Sequence, residues 1–336
     1  MEDLKLFTRN NPIMTFTCLA FSLTWLVWFS VPSIAGDNWA FGKIIAGAGF
    51  GPALAAIILA QLQGTGCEFR SVKWWTSLSG VFAIMCAIYT SMLMTGDAIT
   101  LELFKKAEPI GFSTLSIVSV IISSAVAAFI VACLICSRDS RFSSLLQFRI
   151  NLKWCLIALF LPATWFLLGM LTVTLTDGTA PTFPLDFLNS TDTLFVLRSI
   201  LFTFFVVAIG EEAGWRAWLL PELQKRFSPL LSSFILGLIW GAWHFPLFVI
   251  GQYSESPVAT FAKMGACVIL ATLFTWLYNH SKQSLLVAVI FHTALNNSAR
   301  ILPITAQSGI YMLAIFITVI VFDKMWKKER GQIRLT

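Results

Sequence analysis

Two adjacent carboxylates, Glu211 and Glu212, stand in an otherwise apolar stretch, and Arg216 follows four residues after the second. On a helix, i,i+4 spacing puts Glu212 and Arg216 on one face, where they can pair. Glu211 then points about 100° away around the axis. That suggests a division of labour. Glu212, held ionised by Arg216, supports the structure, while Glu211 is freer and desolvated, as suits a general base. The plain alternative is a structural ion pair at a helix end.

Two further polar groups fall in apolar stretches downstream. His244 sits in Trp240-Gly241-Ala242-Trp243-His244-Phe245-Pro246, where the proline can bend a helix and free backbone groups to line a polar cavity. A lone histidine in such a helix is more often a packing residue, but an ionisable group at membrane depth marks function by default. His292 and Asn296 lie four apart in Phe291-His292-Thr293-Ala294-Leu295-Asn296-Asn297 and share a helix face. Both can donate hydrogen bonds to one atom; simple interhelical bonding is the alternative. The third histidine, His280, stands beside Lys282 in a short loop and reads as solvated. One shared polar cavity is more economical than three separate costly burials.

The elements that position these groups follow from composition. The chain has 336 residues, of which 57% are hydrophobic and 12% charged, and its mean hydropathy is +0.79. Soluble domains carry roughly 25% charged residues, so the bilayer is the natural solvent here. In a bilayer only helices or closed barrels satisfy the backbone. The apolar runs are long and lack the strict alternation of barrel strands. The expected fold class is therefore all-α, a polytopic transmembrane bundle of about ten spans. The runs are 12–32, 39–61, 75–94, 112–136, 154–176, 194–218, 231–250, 258–278, 284–302 and 309–322. Counted along the helices from the Lys/Arg-rich side, Glu211 and His292 reach about 10–14 Å and His244 lies deeper. The seven cysteines imply no disulfide framework; Cys133 and Cys136 form a CxxC with no second pair.

Basic residues set the expected orientation. Alternate loops hold Lys5 and Arg9; Arg70 and Lys73; Arg138, Arg141, Arg149 and Lys153; Lys225 and Arg226; Lys282; and Lys324, Lys327, Lys328, Arg330 and Arg334. The opposite loops hold Lys105, Lys106 and Arg300, with Asp37, Asp97, Glu102, Glu108, Asp177, Asp186, Asp192 and Glu255. The positive-inside rule then places both termini in the cytoplasm. Glu2, Asp3, Lys5 and Arg9 precede a full-length run, which reads as a first span that stays rather than a cleaved signal. The net charge of +6 is accounted for by these scattered anchors, which excludes a nucleic-acid partner as its explanation.

At these motifs the chain closely resembles the CPBP family, the CAAX protease and bacteriocin-processing (Abi) membrane peptidases, which include the type II CAAX prenyl endopeptidases. The family signature is Glu-Glu-x-x-x-Arg, then aromatic-x-x-x-His, then His-x-x-x-Asn. It matches Glu211-Glu212 with Arg216, Trp240 with His244, and His292 with Asn296, in order. Trp215, Leu220-Pro221 and Gly51-Pro52-Ala53-Leu54 also match. Two departures stand out. Ala217 and Trp218 replace the usual Gly and Tyr or Phe, which bears on packing near the entrance. The runs 75–94 and 112–136 look like a helical pair beyond the usual eight spans. The expected organisation is one integrated unit, with N-terminal spans and the extra pair in 1–150 and the catalytic membrane region in 151–336.

The resemblance implies an intramembrane endopeptidase acting on a membrane-associated peptide or protein, in a bacterial plasma membrane. Glu211 and His244 would activate a water, His292 and Asn296 would stabilise the oxyanion, and Glu212 and Arg216 would support the site. No cofactor is favoured. A zinc version would use Glu211, His244 and His292 as ligands, yet the HExxH spacing of soluble zinc peptidases is missing. Rival readings are a proton- or ion-coupled transporter, against which no repeated broken-helix pattern is seen, and a non-catalytic membrane immunity or binding protein.

Overall fold

A chain this apolar satisfies its backbone hydrogen bonds within each segment, and helices are how it does so. The computed structural model describes residues 2–35, 48–69, 71–95, 114–146, 151–182, 194–250, 253 and 256–328. Among them there is no β-strand, only an isolated bridge between Cys67 and Ser137. The protein is a helical membrane bundle. An N-terminal helix α1 (Glu2–Asn10) precedes α2 (Pro12–Ala35), α3 (Gly51–Gln63), α4 (Val72–Thr95), α5 (Thr114–Ile135) and α6 (Leu152–Asp177). Helix α7 covers 194–224, followed by α8 (Pro229–Trp243), α9 (Pro257–His280), α10 (Leu285–Ile301) and α11 (Ala306–Phe322).

Each of the ten apolar runs falls on one helix of α2 to α11, although the first parts of runs 39–61 and 112–136 lie outside the described residues. Among the described residues, six helices are long and apolar enough by themselves to cross a membrane: α2, α4, α5, α6, α8 with its continuation to Val249, and α9. Helices α3, α10 and α11 are apolar but shorter, and α7 carries Arg198, Glu211, Glu212 and Arg216. Of the residues in the orientation argument, Arg70, Lys105, Lys106, Arg149, Arg330 and Arg334 lie outside the described residues. So do Asp37, Asp97, Glu102, Glu108, Asp186, Asp192 and Glu255.

The extra pair, α4 and α5, packs together along its length. Lys73 at the start of α4 donates to the carbonyl of Ile135 at the end of α5, at 3.1 Å, so the two helices are antiparallel. They contribute none of the motif residues. The Cys67–Ser137 bridge sits beside Cys133 and Cys136. Burial, with the neighbouring Cys133, pushes the Cys67 thiol up to about 12, which leaves it protonated and unreactive at neutral pH.

Glycines let the motif helices approach their neighbours closely, as small residues do in membrane interfaces. A Cβ on Gly210 would stand 2.8 Å from the Phe50 ring, and one on Gly214 would stand 2.6 Å from the Pro52 carbonyl carbon. These two residues, four apart, turn one face of α7 onto the start of α3. Glu212 is two residues beyond Gly210, hence about 200° around the helix, and so faces the bundle interior. Gly237 and Gly241 do the same for α8: a Cβ there would meet Val268 Cα at 2.5 Å and Met264 Cα at 2.9 Å on α9. Gly51-Pro52 and the glycines around the Glu pair are thus two halves of one contact.

Candidate active site

Helix α7 is continuous but not uniform. It is α-helical at Leu194–Phe202, widens to π-helical turns at Thr203–Ala208, returns to α at Ile209–Gly214, widens again at Trp215–Leu219 and ends as α at Leu220–Gln224. The Glu pair therefore sits in a short α segment between two widened turns, a feature frequent at functional sites. The helix also runs six residues past the end of run 194–218. Glu211 lies thirteen residues from Gln224, about 20 Å along the axis at 1.5 Å per residue. His244, fifteen residues from Pro229, lies at a similar depth of about 22 Å. The sequence had drawn Glu211 shallower because the helix was ended too early.

The two carboxylates take different partners. Glu212 and Arg216 are both fully buried, with Arg216 donating to Glu212 Oε1 at 3.0 Å. The guanidinium lies between two rings, 3.8 Å from the centre of Phe274 and 4.6 Å from that of Trp240. Each such contact is worth about 2 kcal/mol when desolvated. Glu212 Oε1 also bonds His292 Nδ1 at 2.6 Å, a link across 80 residues that spacing could not reveal. The same Glu212 oxygen accepts from Arg216, so the His292 nitrogen is the donor.

Glu211 turns to a different partner. Its Oε2 accepts from the Trp240 indole at 2.6 Å. His244 Nδ1 stands 2.7 Å from the Trp240 carbonyl. A carbonyl only accepts, so the proton is on Nδ1 and the lone pair is on Nε2. Trp240 is the common neighbour: its ring centre is 5.9 Å from that of His244 and 6.1 Å from that of His292. Three of the four residues assigned chemistry from the sequence thus meet around one indole. The fourth, Asn296, is half-buried one turn beyond His292 on α10. Its neighbour Asn297 is bound elsewhere, accepting from Ser199 at 2.7 Å and donating to the Thr293 carbonyl at 2.8 Å.

Trp218, one of the departures from the family pattern, stacks on Phe142 with ring centres 6.3 Å apart, and Arg141 covers it at 5.0 Å. Arg141 also bonds Asp139, and Ser144 accepts from the Leu285 backbone N–H at 3.0 Å. The basic segment 138–146 therefore fastens the far end of α7 to the start of α10. His280 is not simply solvated: its Nε2 lies 3.1 Å from Asp323. Residues that sequence reasoning passed over are Phe274, Tyr253 and Lys263. The last was hidden because a single charge in an otherwise apolar run was counted with the span.

A family model for type II CAAX prenyl endopeptidases of the Rce1-like kind matches residues 193–298, a segment that contains all six motif residues. The chain is also 30% identical over 185 residues to CAAX prenyl protease 2 of Methanococcus maripaludis. That alignment covers 52% of this chain and 68% of the relative. The chain belongs to the CAAX protease family. It is a protease, hence a hydrolase, and an intramembrane endopeptidase rather than a carrier. Within this CAAX protease, the matched segment begins one residue before α7 and ends in α10. The pair α4 and α5 lies outside it.

Proposed function

We propose that the chain hydrolyses a peptide bond of a membrane-associated protein by direct attack of water, with Glu211 and His244 as its base pair. The observation that carries this reading is the meeting of Glu211, His244 and His292 around Trp240. Trp240 occupies one oxygen of Glu211 and leaves the other to take a proton from water. The His244 lone pair on Nε2 is the second acceptor. Water oxygen bonds to the carbonyl carbon as its proton passes to this pair. The resulting oxyanion is met by the Asn296 amide and by His292. Because His292 Nδ1 donates to Glu212, the nitrogen left to face an oxyanion is Nε2, which donates there when the ring carries both protons. The C–N bond then breaks as the stored proton moves to the leaving amine.

Zinc is the alternative way to activate the water. Among the described residues no three His, Cys, Asp or Glu side chains come together as a metal-holding group. Metal analysis of purified, active protein tests it: stoichiometric zinc whose removal abolishes cleavage would reverse the preference. Asn296→Ala is expected to lower kcat by about 10²–10³ with little change in KM, the size found for oxyanion donors. An unchanged kcat would remove Asn296 from the site. The relative's name supports a prenylated C-terminal substrate for this chain too. The Lys and Arg asymmetry supports an orientation with both termini in the cytoplasm.

A further inference from the structure

Lys263 is an ionisable group beside the site that this mechanism does not use. It lies six residues into α9, about 9 Å from the helix start, in a segment otherwise apolar enough to span a membrane. A charge there is costly and marks function by default. Lysines near helix ends usually extend to water and leave only their stems covered. Here the side chain is half-buried, and its ammonium lies 5.3 Å from the ring centre of Tyr253. Among the described residues no carboxylate forms an ion pair with it.

Its surroundings are those of the site. Tyr253 stacks on His244, with ring centres 6.1 Å apart and planes 27° from parallel. The Tyr253 backbone is fixed by its N–H bonding the Leu247 carbonyl at 2.8 Å, and its ring packs on Phe248 at 5.1 Å. One residue on from Lys263, Met264 meets Gly241 of the motif helix, so the lysine is held at the α8–α9 seam. Tyr253 thus links the ammonium to His244, touching both. A cation with no ion-pair partner among the described residues, held one ring away from a hydrolytic centre, is suited to take an anion that arrives with the substrate.

We infer that Lys263, carried over Tyr253 beside His244, anchors a carboxylate of the substrate peptide close to the scissile bond. It is a specificity residue rather than a group that handles the reacting atoms. The inference rests on the peptidase reading above. The carboxylate has two possible sources, the substrate's own C-terminus or an acidic side chain, and both present the same chemistry to the ammonium.

The test uses the full-length protein in lipid nanodiscs and three farnesylated, fluorescence-quenched peptides ending in a CAAX sequence. One has a free C-terminus and no acidic side chain. The second is its C-terminal amide. The third is the amide with one glutamate beside the cleavage site. The wild type is expected to prefer at least one carboxylate-bearing peptide over the plain amide by about tenfold, mostly in KM, the scale of a charged hydrogen bond. Lys263→Met should lose that preference while cleaving the plain amide at the wild-type rate; Lys263→Arg should keep much of it. Whichever of the first and third peptides shows the effect names the source of the carboxylate. Equal loss on all three peptides with Lys263→Met, or no preference by the wild type, would overturn the inference while leaving the peptidase reading intact. Failure of the wild type to cleave any of them would count against the prenyl-peptide reading and the inference with it.

Discussion

Glu211→Gln is expected to lower the rate of peptide cleavage by about 10²–10⁴, the range for loss of a positioned general base, with the fold unchanged. Glutamine keeps the shape of the side chain and an oxygen that can accept from the Trp240 indole, the bond seen at 2.6 Å. What it loses is the capacity to take a proton from water. The buried site also loses one negative charge, which removes a desolvation cost rather than adding one. Stability should therefore hold while kcat falls. His244→Ala should fall as far, because it removes the Nε2 lone pair that the Trp240 carbonyl fixes in place. A Glu211→Gln protein that inserts normally and cleaves at near the wild-type rate would mean that Glu211 is a packing carboxylate.

The second large effect concerns stability. Arg216→Met should destabilise the protein by about 3–5 kcal/mol, since it strands the Glu212 carboxylate without its buried partner. It also removes the guanidinium from between Phe274 and Trp240. Glu212→Gln combined with Arg216→Met removes both charges, and the cost should shrink accordingly. Activity should not return with stability, because the glutamine oxygen can still accept from His292 Nδ1 but no longer supplies the negative charge that would favour a doubly protonated His292. Thermal unfolding and cleavage, measured on the same purified variants, separate the two. A double variant that recovers activity along with its fold would assign Glu212 and Arg216 to structure alone and leave His292 positioned by something else.

Much of this was legible because apolar runs and misplaced charges are local signals. The run at 154–176 becomes helix Leu152–Asp177, and 284–302 becomes Leu285–Ile301. The i,i+4 rule placed Arg216 on Glu212, and the 100° offset separated Glu211 from that pair. What spacing could not supply was contact between helices. The bond from His292 to Glu212 and the position of Trp240 among three polar side chains depend on how α7, α8 and α10 pack. The end of α7 was misjudged because Leu219 to Gln224 mixes apolar and polar residues, while the helix is set by its packing against the 139–146 segment. Helix α1 was missed for a related reason: Glu2, Asp3, Lys5 and Arg9 made it read only as a charged leader to the first span. The widened turns on either side of the Glu pair leave no trace in residue type.

The central claim is that this chain cuts membrane-associated peptides with Glu211 as an essential group. Comparing membrane-peptide profiles of cells that carry the wild type with those carrying Glu211→Ala tests it most directly. The expected result is a set of shortened products present only with the wild type, their longer precursors accumulating with the variant at equal protein levels. Identical profiles, with the same products present at the same abundance in both, would contradict it.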